Sequence, residues 1–171
     1  MKKNIVRAGF TLTELMAVVI IVAILAGIAA GSYKKAVERS RYSDGLVAAT
    51  SMMESVNRYY LNNDDLDDDE RTRPTIAQAD ISFPNTKACK TSSAYCTKTK
   101  FFEITIKDDG SVEAVRYKGS DRGDYGVRVY SDVFGSNQRA DKECIYYNKT
   151  GKDICVSLGY GCGTSMVCSK I

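Results

Sequence analysis

No histidine occurs anywhere in this chain of 171 residues. Its absence removes the usual general base of neutral-pH catalysis and every histidine-containing metal site. Also missing are a Gly-x-Ser-x-Gly elbow and a phosphate-binding glycine loop, so the many Ser and Asp residues have no catalytic constellation around them. Net charge is scarce. Lys+Arg number 24 and Asp+Glu 21, but Lys2, Lys3 and Arg7 precede Gly9, which leaves 21 of each sign beyond it. No strong basic face remains to attract nucleic acid. The six cysteines include no C-x2-C pair, the spacing that a four-thiolate zinc site favours. Neither an enzyme nor a cofactor or metal is expected.

What is present divides sharply along the chain. Cys89, Cys96, Cys144, Cys155, Cys162 and Cys168 all lie in the second half. An even count in a small domain behind a membrane signal reads as disulfides in an oxidising, extracytoplasmic compartment. From Leu15 to Tyr33 no side chain is charged, nineteen residues in all. That approaches the ~20 residues an α-helix needs to cross the hydrocarbon core of a bilayer. A cleaved secretory signal would have a shorter apolar core, about 7–15 residues, before its small-residue cleavage site. Basic residues do not settle orientation, since Lys34, Lys35, Arg39 and Arg41 follow the run while Lys2, Lys3 and Arg7 precede it.

Glu14 is the odd residue. An acid at the edge of a membrane segment is costly unless partnered, and it marks a functional site. The surrounding pattern is a short basic leader, then Gly9-Phe10-Thr11-Leu12-Thr13-Glu14, then the apolar helix. It resembles the class III signal of type IV prepilins and pseudopilins, with G-F-T-L-x-E matched at every fixed position over about the first fifth of the chain. The resemblance implies cleavage after Gly9 by a prepilin peptidase and N-methylation of the new terminal residue, Phe10. It also implies a role for Glu14 in pairing with the α-ammonium of Phe10 in its own or a neighbouring subunit, which would specify register between packed helices.

Leu46, Ala49, Met53, Val56 and Tyr60 step by three and four, an amphipathic stripe that extends the helix to about Leu61. Lys35, Glu38, Arg39, Asp44 and Arg58 lie largely off it. Gly27 and Gly31 form a G-x-x-x-G suited either to close helix contact or to local weakening. Many type IV pilins carry a helix-breaking proline at the position of Gly31, from which this chain departs.

Asn62 to about Thr99 reads as an exposed loop that opens on an acidic run. Asp65, Asp67 and Asp69 alternate as in a calcium loop, but Glu70 stands where an EF-hand needs Gly and Ile76 where it needs Glu. Cys89 and Cys96 enclose a short polar stretch, and a bond between them is one of the pairings open to the six cysteines. The period then changes to two. Lys100 to Tyr117 makes a hairpin turning at Asp109-Gly110, and Tyr125–Ser131 a further strand. Glu143–Tyr147 and Lys152–Leu158 read as a second hairpin around Asn148-Lys149-Thr150-Gly151, with Cys144 opposite Cys155. Either of these can instead reach Cys162 or Cys168, since six cysteines allow about fifteen connectivities. The glycine-rich tail reads as an irregular segment fastened by disulfide. Arg122-Gly123-Asp124 and the Asn148-Lys149-Thr150 sequon are short motifs that chance supplies readily.

The expectation is therefore an α+β chain: leader 1–9, membrane and filament-core helix 10–33, amphipathic half-helix 34–62, and a globular head 63–171. The head would pack the helix on a small antiparallel sheet of four or five strands. The implied function is a structural subunit of a type IV pilus. Its partners would be the prepilin peptidase, other copies of itself, the pilus assembly machinery and the inner membrane. It would cross that membrane once with its head outside, then join an extracellular filament. The alternatives are a type II secretion pseudopilin and, from another class, a membrane-anchored extracytoplasmic binding domain.

Overall fold

Helix α1 runs without interruption from Leu12 to Asn62 in a computed structural model that describes residues 9–63, 73–84, 86–89, 94–118, 121–133 and 141–170. The chain divides into two compact units, residues 1–37 and 38–171, and α1 contributes to both. In the first unit the helix passes through Gly27 and Gly31 as regular α-helix. Neither glycine has another atom within 4 Å of where a Cβ would stand, so no contact requires the missing side chain at either position.

In the second unit the stripe read from the sequence is the packing face. Ala49, Met53, Val56 and Tyr60 are buried, with Tyr42, Gly45 and Met52 added, and Leu46 is half-buried against the same core. Small residues bring the helix close to the sheet. A Cβ on Gly45 would lie 2.6 Å from the Phe102 ring, so a side chain there would have to displace that buried ring.

Described strands are β1 Lys87–Ala88, β2 Cys96–Lys98, β3 Phe102–Ile106, β4 Val112–Lys118, β5 Asp121–Val129, β6 Lys142–Tyr146, β7 Tyr160–Cys162 and β8 Val167–Lys170. They form one antiparallel sheet in the order β1-β2-β3-β4-β5-β6-β8-β7. The α+β class expected from the sequence is observed, with a larger sheet than the four or five strands expected. The Asp109-Gly110 turn joins β3 to β4, and Gly110 adopts φ 77°, where glycine is favoured. Residues opposite one another across neighbouring strands share a face. Thr97, Ile104, Ala114, Val127, Cys144, Cys168 and Cys162 make one continuous row across seven strands. Ile104, Ala114, Val127, Cys144 and Cys168 in that row have no exposed surface and belong to the core that α1 covers. Fully burying a side chain such as Ile104 or Val127 contributes about 1.5–3 kcal/mol.

Three expectations are corrected. The second hairpin does not form: Lys149–Ser157 is helix α2. Asn148 is its N-cap, accepting a hydrogen bond from the Gly151 N–H at 2.9 Å, and Gly159 follows its end at φ 88°. The alternation Ile154, Val156, Leu158 suggested a strand, but Gly151, Ile154, Cys155 and Leu158 have the i, i+3, i+4, i+7 spacing of a helix face. That set packs inward, while Val156 is exposed. Second, the region before Thr99 is not wholly an exposed loop. Pro74 is fully buried, Ile76, Ala79, Ile81 and Phe83 pack on the core, and β1 and β2 extend the sheet. Its acidic run, with Asp65, Asp67, Asp69 and Glu70, lies outside the described residues. Third, the tail is not irregular, since β7 and β8 complete the sheet.

Candidate functional site

The helix start is built from its own side chains. Thr11 precedes the first helical residue and is the N-cap; Glu14 occupies the third helical position. The Thr11 hydroxyl and backbone N–H both donate to one Glu14 carboxylate oxygen, at 2.7 and 2.9 Å, and the Glu14 N–H donates to the Thr11 hydroxyl oxygen at 3.3 Å. This is a capping box, satisfying backbone donors that a helix end otherwise leaves bare. The T-x-x-E signal for it is legible in the sequence, yet reading Glu14 for assembly alone passed over it. The carboxylate is exposed, so these neutral donors can be exchanged for a cation. Phe10, one residue before the cap, is 87% exposed; residues 1–8 lie outside the described residues.

Behind the cap, Leu12, Leu15, Met16, Val18, Val19, Ile20, Ile21, Val22, Ile24, Leu25 and Ile28 are all more than half exposed, on every side of the helix. A helix apolar all round belongs in lipid or among other helices. This helix is long and apolar enough to cross a membrane.

The head presents its charged groups in closed arrangements. Glu38, expected off the packing face, accepts from Arg116 Nε at 3.3 Å and the Tyr125 hydroxyl at 3.0 Å, and pairs with Arg41. Arg116 is 5% exposed and also donates to the Phe101 and Tyr117 carbonyls. On the opposite face of the sheet, Glu113 is held by Lys107 at 2.8 Å and by Arg128. Asp124 accepts from Lys118 at 2.6 Å and Asn148 Nδ2 at 2.7 Å. These two contacts answer both short motifs. The Asp124 carboxylate of Arg122-Gly123-Asp124 sits in a strand and is already engaged, and so is the Asn148 amide of the sequon.

Burial pushes the Glu38 carboxyl up, but the hydrogen bonds from Arg116 and Tyr125 outweigh it and the net shift is down. Glu113 behaves likewise, with burial opposed by Lys107 and Arg128, and the Lys118 hydrogen bond lowers Asp124. A carboxyl lowered in the folded state adds stability above its unfolded pKa, and that stability is lost as pH falls through the folded value. Unfolding of the full-length protein in detergent is therefore expected to be insensitive to pH above about 5.5 and to ease progressively below about pH 4.5, near the unfolded carboxyl values. Glu113→Gln should shrink that dependence. A head that gains stability on acidification would refute the assignment.

All six cysteines are bonded, as Cys89–Cys96, Cys144–Cys155 and Cys162–Cys168. The second bridge ties strand β6 to helix α2 rather than joining two strands of a hairpin.

Residues 6–30 match the family pattern described as the prokaryotic N-terminal methylation motif. The type IV major pilin protein PilE of Neisseria gonorrhoeae is 31% identical over 96 residues, 56% of this chain and 58% of that protein. A fimbrial protein of Neisseria meningitidis serogroup A is 29% identical over 96 residues, 56% of each. A type IV major pilin protein PilE1 of Neisseria gonorrhoeae is 40% identical over 60 residues, 35% of this chain and 36% of that protein. The chain spans a little over half the length of the first two relatives. No solved structure matches it.

Proposed function

We propose that this chain, a member of the type IV pilin family, is a structural subunit that polymerises through its N-terminal helix once its leader has been removed. The observation that carries the reading is the helix behind the Gly9-Phe10 motif: apolar on every side, uncovered, and continuous with a disulfide-fastened head. Each large apolar side chain left in water forgoes about 1.5–3 kcal/mol of burial. Lipid covers these side chains before assembly and neighbouring helices cover them afterwards, so one surface serves both states. The head then faces outward in both.

In this reading residues 1–9 are a leader that the prepilin peptidase removes after Gly9, and Phe10 is then N-methylated. Residues 10–33 span the inner membrane once and later pack in the filament core. Residues 34–62 complete the helix and 63–171 form the extracytoplasmic head. The assembly machinery moves the subunit from membrane to extracellular filament. Cleavage creates a cation on Phe10 one helical turn before Glu14. Among packed helices both charges are withdrawn from water, where an unpaired charge is strongly disfavoured, so Glu14 exchanges Thr11 for the amine of its own or a neighbouring subunit.

Mass spectrometry of the native protein tests the processing step. The mature chain should begin at Phe10, having lost nine residues and gained one methyl group. An intact leader, or a start at any other residue, would overturn the reading and favour a permanently anchored binding domain.

A further inference from the structure

Each of the three bridges joins cysteines that are consecutive in the chain, at separations of 7, 11 and 6 residues. The finished sheet brings other pairs equally close. Cys144 in β6 stands directly opposite Cys168 in β8, and Cys168 directly opposite Cys162 in β7. Opposed residues in antiparallel strands have Cα atoms about 4.5–5.5 Å apart, within the ~4.4–6.8 Å that a disulfide spans. Cys168 thus has two neighbours within bonding reach, and Cys144 has Cys168 beside it as well as Cys155 on α2. Cys144, Cys155 and Cys168 have no exposed surface. A protein oxidant cannot reach them once β8 is in place.

Chain entropy therefore discriminates between products that the folded sheet holds equally close. In an unfolded chain the probability of closing a loop falls as about the three-halves power of its length. Cys144–Cys155 is then favoured about threefold over Cys144–Cys168, and Cys162–Cys168 about eightfold. Completing the sheet first removes that advantage, because register alone then places Cys144 against Cys168.

We propose that the head is oxidised in chain order, each cysteine pairing with the next before β8 docks, by a dithiol oxidase of the extracytoplasmic compartment and without need of a disulfide isomerase. Cys144–Cys168 is the trap that awaits a head folded while reduced. The proposal rests on the extracytoplasmic placement given above. In each cycle a cysteine thiolate attacks the oxidase's disulfide and forms a mixed disulfide. The thiolate of the next cysteine displaces the oxidase, which leaves as a dithiol carrying the two electrons and, by exchange through solvent, the two protons given up by the cysteines.

Two measurements on the full chain test this. In cells, non-reducing peptide mapping should find the same three bridges with or without the extracytoplasmic disulfide isomerase, and loss of the bridges without the dithiol oxidase. In vitro, reduced protein is refolded in detergent with the thiols kept reduced and then exposed to oxidised glutathione. It should yield a Cys144–Cys168 peptide several-fold more abundant than when oxidation is carried out in denaturant, and Cys168→Ser should abolish that peptide while preserving Cys144–Cys155. Dependence of the native bridges on the isomerase, or no excess of the Cys144–Cys168 peptide after refolding, overturns the proposal. Six free thiols in cells containing both enzymes would instead overturn the extracytoplasmic placement on which it rests.

Discussion

Glu14→Gln is expected to abolish surface filaments while leaving subunit level, leader cleavage and head folding unchanged. The substitution separates the capping contact seen at Glu14 from the assembly role proposed for it. As a partner of Thr11, a glutamine at the third helical position serves a capping box nearly as well as a glutamate, so the helix start should survive. As a partner for the Phe10 cation, glutamine carries no charge. Stranding one member of a buried ion pair disfavours association by about a hundredfold or more, and the penalty recurs at every subunit added. Thr11→Ala is the converse control: it removes the Thr11 hydroxyl from the cap while keeping the acid, and filaments should persist. The measurement is a count of surface filaments by electron microscopy beside an immunoblot for subunit level and processing. Normal filament numbers from Glu14→Gln would refute the assembly role and leave helix capping as the residue's contribution.

Glu38→Ala should be the most damaging single change of a charged residue in the head, lowering its stability by about 3 kcal/mol or more, as breaking a buried pair from one side does. The reason is Arg116. Its side chain is 6% exposed, against 19% for that of Glu38, and without the carboxylate the guanidinium keeps only the Phe101 and Tyr117 carbonyls among its described hydrogen-bond partners. The Tyr125 hydroxyl also loses the carboxylate, though it still donates to the Glu38 carbonyl at 3.1 Å. The comparison is Arg58 with Asp80, a two-pronged pair at 2.7 Å whose side chains are about half exposed. Water replaces such a pair readily, so Arg58→Ala should hardly move the denaturant midpoint. Replacing both buried partners, as Glu38→Met with Arg116→Met, should recover most of the loss, because no stranded charge remains. The readout is urea unfolding of the full-length protein in detergent at neutral pH. Equal midpoints for Glu38→Ala and Arg58→Ala would show that burial of the pair has no energetic weight.

Much of this chain follows from local order. The charge-free run from Leu15 to Tyr33, the steps of three and four from Leu46 to Tyr60, and the Asp109-Gly110 turn between alternating stretches each express one element's geometry within a few residues. The Thr11 and Glu14 pair is equally local. Where local signals competed, they misled: Ile154, Val156 and Leu158 alternate like a strand, and the helix face of Gly151, Ile154, Cys155 and Leu158 outweighed them. The decisive cues were the Asn148 cap and the Gly159 stop, both readable from the chain. Strands of two to four residues such as β1, β2, β7 and β8 have too few residues to show a period.

The sequence alone thus settled the α+β class, the membrane-length helix and its buried face, because periodicity and capping act between residues a few positions apart. Only the tertiary structure decided which distant residues meet. Glu38 looked like one more solvated acid on a helix until the sheet brought Arg116 and Tyr125 beneath it, 78 and 87 residues further along. Strand order likewise set Cys144 of β6 opposite Cys168 of β8, although the two are not bonded to each other. Such pairings depend on strand order and register, which arise from the packing of the whole head, and no short stretch of chain encodes them.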